Sequence, residues 1–147
     1  MKKIFPPAYL LIFILFQTAL HYSLPIARLI SYPDTLWGLL PTVGSFLLVL
    51  YARFVFHRRD TTIKPFEKSN QLITNGIYRI SRNPIYLGMV IFLVGSAMLF
   101  GTASPWIVIP VYPWLISRIF IRVEESMLEE GFGGEYRQYK SQVRRWI

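Results

Sequence analysis

Two polar clusters interrupt an otherwise apolar chain: Gly76-Ile77-Tyr78-Arg79 with Arg82-Asn83-Pro84-Ile85-Tyr86, and, beyond two apolar runs, Glu124-Glu125. An arginine takes a carboxylate through paired N–H donors, and a helix amino end offers further N–H groups to the same anion. A glutamate takes an ammonium. Together these groups suit a zwitterionic amino-acid moiety. Taken singly they have plainer uses: Arg79 and Arg82 as anchors at a membrane surface, Tyr78 and Tyr86 as interfacial aromatics, Arg122 and Glu125 as an i,i+3 pair. The sequence offers no paired Ser and His, no phosphate-cradling glycine loop and no zinc spacing, and His21 and His57 are isolated. It has no cysteine, which excludes disulfides, thiolate metal sites and cysteine nucleophiles.

Whether the clusters share a site depends on the elements between them. Asn83-Pro84 reads as an N-cap followed by proline at the first helical position, so a helix is predicted to begin there. Residues 84–100 and 104–121 are apolar and joined only by 101–103, which makes them an antiparallel hairpin. Arg82 lies 21 residues before Ala103 and Glu124 lies 21 residues after it. Equal rise on both legs returns the two side chains to one depth.

The chain has 147 residues, 53% hydrophobic and 16% charged, with mean hydropathy +0.38. Four stretches, 8–24, 36–56, 84–100 and 104–121, approach the length of about 20 apolar residues that crosses a bilayer. None contains Asp or Glu, which argues against an ion pathway. The expected fold is therefore one all-α integral membrane domain over 1–147: four transmembrane helices, a loop at 57–83 and a tail at 122–147.

The net charge of +8 is placed for a membrane surface and not for nucleic acid. Lys2 and Lys3, then Arg58, Arg59, Lys64, Lys68, Arg79 and Arg82, then Arg122, Arg137, Lys140, Arg144 and Arg145 flank the spans on one side. The short connections 31–35 and 101–103 carry neither Lys nor Arg. The positive-inside rule puts both termini, the loop and the tail in the cytoplasm, in an inner (cell) membrane protein. Met1-Lys2-Lys3 before an apolar run also resembles a secretory signal, but no small-x-small cleavage site follows.

Gly88, Gly95, Ser96 and Ala97 predict a close helix approach along the third span. Pro110 and Pro113 predict a bend in the fourth. After Phe132-Gly133-Gly134, the spacing of Tyr136, Tyr139, Val143 and Trp146 predicts a short amphipathic helix on the inner membrane surface.

S-adenosylmethionine carries an amino-acid zwitterion beside a sulfonium, so the two clusters suit it, and no metal is needed. Thr61 to Pro65, Leu72 to Arg79 and Ser81 to Gly88 resemble the isoprenylcysteine carboxyl methyltransferase family and its phospholipid methyltransferase relatives. Glu124 to Leu128, Phe132 to Tyr136, and Tyr139 resemble that family's closing signature. The resemblance implies S-adenosylmethionine enclosed from the cytoplasmic side by the last hairpin and the tail, with a lipophilic acceptor entering from the bilayer. It implies Arg82 and Glu124 as polar contacts at the reacting end. It further implies Gly76, Tyr78, Asn83, Pro84, Tyr86, Gly88, Glu125 and Tyr136 as cofactor-pocket positions. Asn83 stands where the eukaryotic enzymes usually have histidine, and the short length resembles the prokaryotic branch. Two other classes fit parts of the pattern. A sterol-reductase-like NADPH enzyme shares a related terminal hairpin, and a four-helix transporter or assembly factor would suit the small size and the bent fourth span.

Overall fold

The computed structural model describes residues 5–58 and 71–147. Lys2, Lys3, Arg59, Lys64, Lys68 and the motif at 61–65 lie outside the described residues. Helix α1 is Pro6–Ser23, and α2 is Leu39–His57, preceded by a 3-10 turn at Asp34–Gly38. Helix α3 is Pro84–Phe100. The fourth apolar stretch changes geometry as it goes: a 3-10 turn at Ser104–Ile107, helix α4 at Val108–Ile116, a π turn at Ser117–Ile121, then helix α5 at Arg122–Gln142. Among the described residues there is no strand, only an isolated bridge between Arg28 and Thr102.

That last run changes geometry past its prolines and continues into α5, where a separate surface helix is expected from the spacing. Pro113 lies inside α4, where it has no N–H to give the preceding turn. The π turn follows directly, and its extra residue rotates α5 by about 100° relative to an unbroken α-helix. Helix α5 then continues to Gly133, whose φ of 50° and ψ of −115° make a corner. A residue with a Cβ enters that backbone region only under strain. Past the corner, Tyr136, Tyr139 and Val143 pack with Ala52, Ile73 and Tyr78, and Trp146 packs against the other core. The apolar face of the tail is thus turned onto protein and not onto lipid, because α2 and the 71–80 segment supply a matching apolar surface.

The close approach along α3 is present, and α2 makes it. A Cβ on Gly95 would collide with Thr42 Oγ1 and lie 2.8 Å from the Gly38 carbonyl. Ser96 donates to Gln17 Oε1 (2.6 Å), and Ala97 is fully buried. This stretch is therefore spent inside one molecule. The two short connections meet at one end of the bundle, where Leu29 and Ile30 N–H donate to the Gly101 carbonyl and Ala103 N–H donates to Ala27.

Large apolar side chains cover the outside. Leu11, Leu15 and Phe16 on α1, and Leu40, Val43, Phe46 and Leu47 on α2, are each at least 55% exposed. A continuous apolar exterior of this kind is unfavourable in water and suits hydrocarbon. The runs Asp34–His57 and Ser104–Gln142 are long and apolar enough to cross a bilayer, and α3 is a shorter apolar helix. The chain is an all-helical membrane protein.

Candidate active site

A cavity of about 540 Å³ opens at the other end of the bundle, where α1 and α3 begin and α5 passes beneath them. Small-molecule sites commonly have such volumes, about 300–1,000 Å³. Phe5, Pro6 and Pro7 of α1 and Val49, Arg53 and Phe56 of α2 form one wall. Leu72, Ile73, Tyr78 and Arg82 lead into the first turns of α3, and Glu124, Glu125, Met127, Leu128, Phe132, Tyr136 and Tyr139 come from α5.

Helix α3 starts at Pro84 as the spacing predicts, but Asn83 does not cap it with its side chain. Asn83 Nδ2 donates instead to the Arg145 carbonyl (3.0 Å), and Ser81 Oγ donates to the same oxygen (3.3 Å). Arg82 N–H donates to the Arg144 carbonyl (3.1 Å). The chain beyond Gln142 therefore lies along residues 81–83, and its carbonyl outcompetes the local cap.

The two adjacent glutamates have different partners. Consecutive helical residues point about 100° apart, and the π turn sets which one meets the arginines. Arg82 Nη1 lies 3.2 Å from Glu125 Oε1 and donates to the Tyr136 hydroxyl at 3.2 Å. Arg145 grips the same carboxylate with two donors, Nε to Oε1 at 3.0 Å and Nη2 to Oε2 at 2.6 Å. Among the described residues Glu124 meets no arginine in this way; it accepts from the Tyr86 hydroxyl at 2.7 Å. Burial pushes the Glu124 pKa up, the Tyr86 hydrogen bond opposes this, and the Glu125 charge adds to the rise. The hydrogen bond to Glu125 is the main cause that raises the Arg145 pKa.

Two buried atoms of residues that line the cavity have no hydrogen-bond partner: the Tyr78 hydroxyl and Arg82 Nε. Burial first, then the nearby Tyr139 and Glu124, push the Tyr78 pKa up, so the phenol stays a neutral donor. Its ring is fixed from both sides, because Tyr139 Oη donates to the Tyr78 carbonyl (2.6 Å) and Phe56 packs edge-on.

Of the ten residues singled out from sequence, Tyr78, Arg82, Asn83, Pro84, Tyr86, Glu124, Glu125 and Tyr136 line the cavity. Gly76 and Gly88 stand outside it. Gly76 has φ 63° and faces the Tyr51 hydroxyl, while a Cβ on Gly88 would lie 2.6 Å from Val49 Cγ2, so both glycines serve packing against α2. The sequence reading did not single out Arg53, Arg145 or the first turn of α1. Arg53 had a signal, being the only charged residue in 36–56. Arg145 had none beyond belonging to a basic tail.

Residues 34–135 match the phospholipid methyltransferase family. The chain belongs to that family. The matched span takes in α2, α3, α4 and α5 as far as Glu135, and so contains Tyr78, Arg82, Tyr86, Glu124 and Glu125. Among similar proteins is the protein-S-isoprenylcysteine O-methyltransferase of Schizosaccharomyces pombe, 34% identical over 76 residues, which are 52% of this chain and 32% of that enzyme. The Saccharomyces cerevisiae protein of the same name is 29% identical over 106 residues, 71% of this chain and 44% of the yeast protein. An uncharacterised protein of Haemophilus influenzae is 35% identical over 63 residues, 43% of this chain and all of that protein. This phospholipid methyltransferase family member spans less than half the length of the two fungal enzymes. Tyr136, Tyr139 and Arg145, which complete the charged cluster and its support, lie beyond the family match.

Proposed function

We propose that the protein is an S-adenosylmethionine-dependent methyltransferase acting on a lipophilic acceptor. In this reading it crosses the inner membrane four times, through α1, α2, α3 and the run 104–121. Both termini and the cavity face the cytoplasm, as the positive-inside rule favours. The observation that carries the reading is the polar end of the cavity, where Tyr78, Arg82 and Glu124 line the space beside an apolar wall and the buried Tyr78 hydroxyl and Arg82 Nε are without partners.

The residues present fit the cofactor. Its carboxylate matches Arg82, which has donor capacity left over, and its ammonium matches Glu124, whose carboxylate meets only a phenol among the hydrogen bonds described. Glu125 is saturated by two guanidinium groups and acts through them. When bound, S-adenosylmethionine supplies a methyl group already activated by its positive sulfur. What remains for the chain is to align an acceptor with that carbon and to keep water out. Val49, Phe56, Met89, Met127 and Leu128 provide an apolar flank for a lipophilic acceptor arriving from the bilayer. A carboxylate acceptor gives up no proton. An ammonium or thiol acceptor must lose one, and Glu124, a cavity carboxylate held by Tyr86 with a raised pKa, is a group able to receive it.

The test is titration calorimetry of the purified chain in several detergents and in nanodiscs. Saturable binding of S-adenosylmethionine and of S-adenosylhomocysteine, with no response to NADPH, is the expected result. Absence of cofactor binding in every medium would sink the proposal.

A further inference from the structure

The chain's last residues do more than close the bundle. Glu125 is almost fully buried, with its side chain 9% exposed, and so is Arg82, while Arg145 reaches them from the surface at 33%. Two guanidinium charges against one carboxylate leave one net positive charge in the trio. Arg145 takes both carboxylate oxygens, so Glu125 meets Arg82 through one nitrogen only. Arg82 lines the cavity, and its buried Nε has no partner. Without Arg145, the carboxylate is free to turn and take Arg82 through both oxygens, neutralising the cation that faces the cavity.

We infer that Arg145 is a positioning residue: by holding Glu125 from behind, it preserves the positive charge of Arg82 for the carboxylate of the bound amino-acid moiety. This rests on reading the cavity as an S-adenosylmethionine site. The arrangement allows a clean test, because the backbone contacts of the terminal segment do not depend on this side chain. Ser81 and Asn83 bond to the carbonyl of residue 145, Arg82 N–H to that of residue 144, and Trp146 packs independently. Arg145→Gln is expected to keep the fold.

The experiment measures dissociation constants of the full chain in nanodiscs for S-adenosylmethionine and for its decarboxylated analogue. Arg145→Gln is expected to weaken S-adenosylmethionine roughly tenfold, the scale of one hydrogen bond to a charged group. The decarboxylated analogue is expected to bind the native protein more weakly and to change less than about twofold, since it has no carboxylate for Arg82 to hold. Adding Glu125→Gln to Arg145→Gln removes the quenching charge and is expected to restore much of the affinity. Equal losses for both ligands, an unchanged affinity, or losses that multiply in the double variant would each overturn the inference. If Arg145→Gln does not fold, Arg145→Lys decides: it keeps the charge without the fork, so unaltered affinity refutes positioning and about threefold weakening supports it. A native protein that binds neither ligand is a different result, and it removes the cofactor reading itself.

Discussion

At the end of the bundle where the short connections meet, Gln17 is fully buried and donates to the Leu93 and Pro105 carbonyls while Ser96 donates to its oxygen. His21 bonds Thr102 at 2.8 Å, and Ser104 bonds the Leu20 carbonyl. Trp106 Nε1 is the exception there. At the opposite end, Tyr78 and Arg82, which line the cavity, hold buried donors without partners. An unpaired buried donor costs about 1–3 kcal/mol. Polar groups that tie helices together are closed, whereas those around the cavity keep capacity that a ligand can use. The contrast makes a separable forecast: changes at the first end move stability, and changes at the second move binding.

The largest effect is expected from Arg82→Ala. Glu125 keeps the two-pronged grip of Arg145, so the variant should fold and melt close to the native protein. Removing one side of a buried charge contact costs about 2–5 kcal/mol, so cofactor affinity should fall on the order of 100-fold or more. A variant that loses its fold and its affinity together would break the comparison.

Gly95→Ala probes the other end. Its Cβ would lie within 2.7 Å of the Thr42 backbone nitrogen, and backbone does not move aside cheaply. Overpacking of this kind costs about 1–3 kcal/mol. The melting temperature in detergent should drop while the cofactor dissociation constant stays within about twofold, because Gly95 lies about 9 Å along α3 beyond Met89, the last residue of that helix on the cavity wall.

What could be read from the residues beforehand follows the same divide. The start of α3 at Pro84, the antiparallel return to Glu124 and the close face of α3 come from local rules, namely proline at N1, equal rise and small residues. Three features depend on tertiary choices that no local rule sets. The π turn at 117–121 decides that Glu125, not Glu124, meets Arg82. The Gly133 corner turns the tail's apolar face onto α2, where the spacing alone fits a membrane surface equally well. Arg145 arrives from the far end of the chain and displaces the expected Asn83 cap. Gly76 and Gly88 show the reverse ambiguity, because a glycine required by a neighbouring helix and one required by a ligand look alike in sequence.

Glu124 gives an effect of intermediate size and a definite sign. Its folded pKa is raised, chiefly by burial. As pH falls through that raised value, above the ordinary 4.5, the carboxyl gains a proton and loses its attraction for an ammonium. Cofactor affinity should therefore decline toward acid by up to about tenfold per pH unit, and Glu124→Gln should flatten the profile. Stability runs the other way. Between the unfolded and folded values the native state binds more protons, so stability falls as pH rises through that window. Ligand-free Glu124→Gln should melt slightly higher than the native protein at neutral pH. A profile unchanged by Glu124→Gln would place the titrating group elsewhere.

Tyr78→Phe is the smallest change and the most discriminating, because its two consequences have opposite signs. The hydroxyl is buried without a partner, so its removal breaks no hydrogen bond in the ligand-free protein and relieves an unsatisfied group. The ring stays in place, since Tyr139 bonds the Tyr78 carbonyl and Phe56 meets the ring face. Melting temperature should hold or rise slightly. If the hydroxyl donates to a bound cofactor, affinity should fall about threefold to tenfold, the worth of one neutral hydrogen bond. A stabilised variant that binds as tightly as the native protein would show that this donor does not serve the ligand, leaving Arg82 and Glu124 to do so alone.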